Sequence, residues 1–254
     1  MAGTGKVQSI ERAIRVLDCF TERNEELKLT EISEMLDLNK STLHGIINTL
    51  KAAGLIDQNE ENQKYRLGLN FIHYAAQVLK RLDIRKVAEP ITRQLCEDVN
   101  ETVHLGILDG SDVVYIDKVE SNQSIGIFTS IGTRYHAYCT AIGKTILSGL
   151  SDEEIVKRLP EHFKQFTETT KTSQAEIMDE IRMVRKKGYA LDLEENVEGL
   201  KCVGAPIYNH EGRIKYSISI SGPINRMTDE KTAIIINKIM KAASDISKKI
   251  GYIK

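Results

Sequence analysis

Four stretches of this 254-residue chain bring together side chains whose types and spacing could do chemistry. In KSTLHGIINTL, residues 40–50, Leu43, Ile46, Ile47 and Leu50 recur three and four apart, which places them on one face of a helix. The other face then carries Ser41, Thr42, His44, Gly45 and Asn48, with Lys40 at its start. Short hydroxyl and amide side chains there suit a DNA major groove, since Ser and Thr bond phosphates or base edges and Asn can pair with adenine. Lys64 and Arg66, just downstream, could grip the backbone alongside. The plainer alternative is a solvated polar face.

The second stretch is YSISIS, 216–221, which alternates so that Ser217, Ser219 and Ser221 share one face and the isoleucines the other. On spacing alone this reads as a solvated serine face, although a row of hydroxyls also suits a pocket for an oxygenated ligand. The third is CTAIGKTIL from Cys139. Thr140 is a plausible N-cap, so the free backbone N–H groups of Ala141, Ile142 and Gly143 form a ready anion site. Its GKT triplet is not a nucleotide-binding loop, because Tyr138 stands where that motif needs glycine. In GYALDLEENVEGLKC, 188–202, Leu191 and Leu193 face one way and Asp192 and Glu194 the other, and spacing alone makes Asp192 a solvated acid.

The elements that must position these residues follow from periodicity and punctuation. SIERAIRVLDCFT (9–21) predicts a helix buried through Ile10, Ala13, Ile14, Leu17 and Cys19/Phe20. TEISEMLD (30–37) predicts a second, capped by Thr30 and buried through Ile32, Met35 and Leu36. A short turn at Leu38-Asn39 leads into the 40–50 helix, capped by Asn39 or Ser41 and ended at Ala53-Gly54. Leu55-Ile56 and Tyr65-Arg66-Leu67 flank a polar tip and read as a hairpin. Three helices, a tight turn and a hairpin make a winged helix-turn-helix over residues 1–68.

Residues 69–82 predict a linker helix. Residues 83–254 predict an α+β domain: a helix, strands TVHLGILD, DVVYIDKVE and SIGIFTS, further helices, the strand pair CVGAPIYN and RIKYSISIS, and a final helix from Thr228 to near Ile250.

Composition narrows the class. No signal-peptide core or membrane-length apolar run is present in the sequence, which predicts a cytoplasmic protein with no membrane partner. Four scattered cysteines without a CxxC pair predict reduced thiols. Net charge is −1, and residues 1–68 hold nine Lys/Arg against eleven Asp/Glu. DNA binding must therefore come from locally placed positive groups rather than from a basic domain.

Taken in order, SIERAIRVLDCF, LTEISEMLDLNKSTLHGIINTL, YRLG, ETVHL, VVYIDKVES, TAIGKTIL, GYALDLEENVEGLKCVGAPI and SISISGPINRM resemble the IclR family of bacterial transcriptional regulators along nearly the whole chain. The resemblance implies a winged helix joined to a GAF-like effector-binding domain with an antiparallel sheet. It implies a homodimer or homotetramer on a pseudo-palindromic double-stranded DNA operator, a small organic acid (keto, hydroxy or sugar acid) as effector, and repression of a catabolic operon. No cofactor or catalytic residue is implied.

It also maps effector contacts onto Ala141, Ile142, Asp192, Cys202, Ser219 and Ser221, overriding the solvated reading of the serines and of Asp192. An ionised Asp192 would repel a carboxylate, so it must accept a hydrogen bond from a ligand hydroxyl or hold a proton in the complex.

Two positions depart from the family pattern. Arg134-Tyr135-His136-Ala137-Tyr138 stands where Arg-x-Pro-Leu-His is usual, and Gly45 stands where arginine is common. Three competing readings are an enzyme with Cys139 or Cys202 as nucleophile and His136 as base, a metal sensor using His104, His136, Cys139 or Cys202, and a winged-helix module that no longer binds DNA.

Overall fold

The computed structural model describes residues 7–21, 23–80, 83–123 and 129–253, and the chain divides into two compact units, 1–82 and 83–254. The first unit runs α1 (Gln8–Leu17), α2 (Leu29–Leu36), α3 (Lys40–Ala52), the hairpin β1 (Ile56–Gln58) and β2 (Tyr65–Leu67), and α4 (Asn70–Lys80). Its core gathers Val16, Phe20, Leu27, Ile32, Leu43, Ile47, Leu50 and Ile56 under Tyr65. Between α2 and α3, Asp37 takes a left-handed conformation (φ 51°), and Asn39 caps α3 by accepting the Thr42 N–H at 2.9 Å. Leu43 and Ile47 are fully buried. Each such side chain contributes about 1.5–3 kcal/mol, which outweighs the roughly 0.5–1 kcal/mol that Gly45 costs the same helix.

Three details of this unit differ from the sequence reading. Helix α1 stops at Leu17 and buries Val16, while Ile10 (59% exposed) and Ile14 (52%) face outward. Helix α2 begins one residue before Thr30, and the Lys28 N–H is received by the Glu31 carboxylate at 2.5 Å. Met35 is 52% exposed, because α2 is short and Ile32 alone is fully covered.

The second unit opens with α5 (Asp83–Val99). It then builds a six-stranded antiparallel sheet from β3 (Thr102–Asp109), β4 (Asp112–Val119), β5 (Arg134–His136), β6 (Ala190–Leu193), β7 (Leu200–Tyr208) and β8 (Ile214–Pro223). The strand order is β5-β4-β3-β8-β7-β6. Helix α6 (Ala141–Leu147) packs on one face, followed by α7 (Asp152–Arg158) and α8 (Gln174–Lys187); α5 and α9 (Asp229–Lys249) cover the other.

Helix α6 lies so close that a Cβ on Gly143 would fall 2.1 Å from the Ala137 carbonyl oxygen, and one on Gly204 of β7 would fall 2.7 Å from that of Ala141. Thr145 of α6 meets Ser217 of β8, hydroxyl to hydroxyl, at 2.5 Å.

Both faces of β8 are therefore buried, with Ser217, Ser219 and Ser221 as covered as Ile218 and Ile220. Strand β6 reverses the expected pattern: Asp192 is 4% exposed and Leu193 44%. Residues 124–128 of the expected strand SIGIFTS lie outside the described residues. The fold is α+β, and among the described residues no helix is long and apolar enough to cross a membrane.

Candidate nucleic-acid interface and ligand cavity

Helix α3 presents Lys40, Ser41, His44, Gly45 and Asn48 to solvent, with Thr42 half-buried. Two of these side chains are already coupled, since Asn48 Nδ2 and His44 Nδ1 lie 3.1 Å apart. Ser41 donates to Asn39, and Thr49 donates to the Gly45 carbonyl at 2.9 Å. Around Gly45 the space is open: a Cβ there would meet nothing within 4 Å.

The hairpin is less free than its sequence suggested. The Arg66 guanidinium donates to Asp57 through Nε (3.1 Å) and Nη2 (2.8 Å) and reaches Glu26 at 3.4 Å. Glu26 also receives Asn59 and Asn62, whose hydrogen bonds hold its carboxyl below the usual range, with lesser help from Arg66 and Lys64. Water and salt screen an exposed pair of this kind and leave it weak, so a phosphate can compete for Arg66.

In the second unit a cavity of about 230 Å³ opens between the sheet and the β6–β7 loop. Strand register builds its floor, because Asp192 pairs with Cys202 and Cys202 with Ser221 across β6, β7 and β8. All three line the cavity, together with Thr140, Asn196 and Glu198. Ser219 lies two residues along the same face of β8, opposite His104 of β3, and is not among the residues that line the cavity.

Ala141 and Ile142 follow the cavity-lining Thr140 at the buried start of α6 and do not themselves line the cavity. There Thr140 accepts the Gly143 N–H through its hydroxyl (3.1 Å) and the Lys144 N–H through its carbonyl (2.9 Å). Among the described residues, no acceptor meets the N–H of Ala141 or Ile142.

The cavity wall also includes residues that spacing did not single out for it: His104, Tyr115, Thr129 and Tyr135. His104 stacks on Tyr115 with ring centroids 4.7 Å apart, and its Nε2 lies 2.7 Å from the Thr129 hydroxyl. Burial, with a smaller contribution from Lys118, pulls His104 down to about 3, so the imidazole is neutral. The available signal was the polar His104 within the apolar run of β3.

Asp192 is the centre of the electrostatics. Burial pushes its carboxyl up to about 7, against the pull of Lys144 and with added push from Glu195. Its Oδ1 accepts the Glu195 N–H at 2.9 Å. Lys144, fully buried in α6, is committed to Glu195 at 2.6 Å and lies 3.6 Å from Glu180.

The thiols do not suit nucleophilic work. Burial pushes Cys139 up to about 12 and Cys202 well above its ordinary value. His136 directs Nδ1 to Asp112 at 2.8 Å, while the Cys139 thiol donates to the His136 backbone carbonyl and to the Asn196 side-chain oxygen rather than to the imidazole. Among the described residues, no three His, Cys, Asp or Glu side chains gather as a metal ion would require.

Residues 9–60 match the IclR helix-turn-helix domain, and residues 76–248 match the bacterial transcriptional regulator IclR C-terminal domain. The chain is 39% identical to the HTH-type transcriptional regulator XynR of Escherichia coli, over 97% of this chain and 98% of that one. It is 32% identical to the acetate operon repressor of Salmonella typhimurium, over 98% and 92%. Among solved structures, IclR of Thermotoga maritima superimposes with a TM-score of 0.78 at 33% identity, covering 97% of this chain and all of that one. With both domain models matched in order and relatives aligned almost end to end, the chain belongs to the IclR family of bacterial transcriptional regulators.

Proposed function

We propose that this regulator holds a small carboxylic acid (a keto, hydroxy or sugar acid) in the cavity of the second unit, and that occupancy changes its grip on DNA. The observation that carries the reading is a buried row of polar side chains, Asp192–Cys202–Ser221, set in strand register beside the start of α6. Such a row costs stability unless something polar meets it. The Ala141 and Ile142 N–H groups supply donors for a carboxylate, and Ser219 and Ser221 supply hydroxyls. A ligand hydroxyl or a proton is required at Asp192.

The DNA side of the proposal rests on α3. Ser41, Thr42, His44 and Asn48 enter the major groove, Lys40, Lys64 and Arg66 meet phosphates, and a homodimer or homotetramer reads a pseudo-palindromic operator. Repression of a catabolic operon is the expected outcome, in line with the acetate operon repressor among its relatives. The test is capture of genomic fragments by the full chain at two salt concentrations, with and without a panel of carboxylic and sugar acids. Retention of one palindromic fragment, released or tightened by one acid, is expected. Failure to retain any fragment overturns the DNA reading, and indifference to every acid overturns the effector reading.

A further inference from the structure

A carboxylate entering this cavity meets an unusual charge environment. Two acids, Asp192 and Glu198, line the wall, and among the described residues no lysine or arginine does. Residues 124–128, Ser-Ile-Gly-Ile-Phe, carry no charged side chain in the sequence.

The lysines nearest the wall are already engaged. Lys144 is bound to Glu195 and approaches Glu180. Lys118 donates to the Thr129 carbonyl and to Glu120. From β3, His104 contributes a neutral ring. From β4 and β7, Tyr115 and Cys202 are held protonated by burial, as is Cys139 of the turn before α6. Tyr135 of β5 completes that side. Asp192 itself is 4% exposed, and the hydrogen bond it accepts from the main chain, from Glu195 N–H, is neutral.

Two buried carboxylates cannot share such a site as two anions, because like charges in a dry interior disfavour joint ionisation. Resting on the proposed carboxylate site, we infer that the ligand anion enters this cavity together with one proton, taken from solvent and held on Asp192 while the ligand is bound. The proton forms an O–H bond on the carboxyl and returns to solvent on release. No other bond changes. Asp192 then donates to the ligand instead of repelling it, and occupancy rises on acidification. Burial that already lifts the empty-site carboxyl to about 7 reduces the cost of that protonation near neutral pH.

The sign follows from linkage. Above about pH 7 the empty protein must bind a proton before it accepts the anion, so affinity falls about tenfold per pH unit; below that it levels off.

The experiment uses the full chain. Glycolate, pyruvate, gluconate and 4-hydroxybenzoate are screened by thermal shift, and the acid with the largest shift is titrated calorimetrically in two buffers of different ionisation enthalpy. Uptake of close to one proton at alkaline pH is expected, with Kd about thirtyfold weaker at pH 8.5 than at pH 6. The Asp192→Asn variant is expected to lose both the uptake and the slope. Binding without proton uptake overturns the inference and leaves the site reading intact. An unchanged slope in Asp192→Asn places the proton elsewhere and also overturns it. Failure of all four acids to bind counts against the site reading, and this inference falls with it. The proton count is made on the unaltered protein, so it does not depend on the variant folding.

Discussion

Gly45 and Gly143 stand inside two helices, α3 and α6, one in each unit, and they hold opposite positions energetically. At Gly45 an added Cβ meets nothing within 4 Å; at Gly143 it falls within 2.1–2.6 Å of three backbone atoms of Ala137. Helix α3 lies with one face on its core and the other in water, so its outer positions are free to be chosen for what they contact. Helix α6 is buried at all seven positions and pressed against the sheet, so its residues are dictated by space and charge. A glycine in a helix therefore says little by itself. Its neighbours decide whether it is a packing requirement or a vacant place on a working surface.

The largest effect expected from this contrast is Gly143→Ala. The clash is with main chain, which cannot rotate away, so either α6 or the Ala137–Cys139 turn must move. Overpacking of this kind costs about 1–3 kcal/mol when side chains can yield, and more here. Chemical denaturation should show the second unit destabilised, and ligand-induced thermal shifts should vanish with the displaced start of α6. Wild-type stability for this variant would show that the close approach is not what holds glycine there.

Next comes Lys144→Met, which leaves Glu195 buried without its cation. Breaking a buried pair costs about 3–5 kcal/mol. The pair also ties α6 to the loop that carries Asn196 and Glu198 along the cavity. Lys144 lowers the Asp192 pKa, so its loss should move the pH at which ligand affinity begins to fall upward. Denaturation midpoints at neutral pH and the affinity profile check the two effects separately.

Asp192→Asn works in the opposite direction. The carboxyl has an ordinary value of 3.8 and sits at about 7 when folded, so the native state holds its proton more tightly than the unfolded chain does. Between those values stability falls as pH rises, and above about 7 the full cost of ionising a buried acid is present. Asparagine keeps an acceptor for the Glu195 N–H and carries no charge. The variant should be more stable than wild type at pH 8, by up to about 4 kcal/mol, and should differ little near pH 4. Paired melting curves at the two pH values read the sign directly.

These residues also show what spacing could and could not reveal. The core stripe of α3 was legible because one face of that helix meets water, so apolar and polar residues separate cleanly. On β8 the same logic fails, since both faces are covered and serines alternating with isoleucines look like a solvated strand. Asp192 escapes spacing for a different reason: its strand turns the acid inward and a leucine outward because the inner space is a polar cavity. In α1, Ile10 and Ile14 fit a helical stripe, but Val16 is the residue that enters the core. Short strands such as β5 and β6, of three and four residues, carry too little periodicity to announce themselves. Family resemblance pointed to Asp192 where spacing had not, and the geometry then gave it a buried partner, Cys202.

The smallest effect on stability belongs to Gly45, and it tests the contrast most sharply. With open space around it, Gly45→Ala should gain about 0.5–1 kcal/mol for the first unit, because alanine removes the entropy that glycine loses in a helix. Gly45→Arg should likewise fold, since no neighbour opposes a longer side chain. Its consequence lies on DNA. The guanidinium would stand on the turn that carries the coupled His44 and Asn48, adding a positive group to a unit whose sequence is net acidic through residue 68. A new phosphate contact should raise affinity for all sequences and steepen the salt dependence by about one counterion; a new guanine contact should change the preferred operator. Binding-site selection at matched salt, run on wild type and both variants, separates these outcomes. Identical profiles for all three would show that this turn of α3 does not meet DNA.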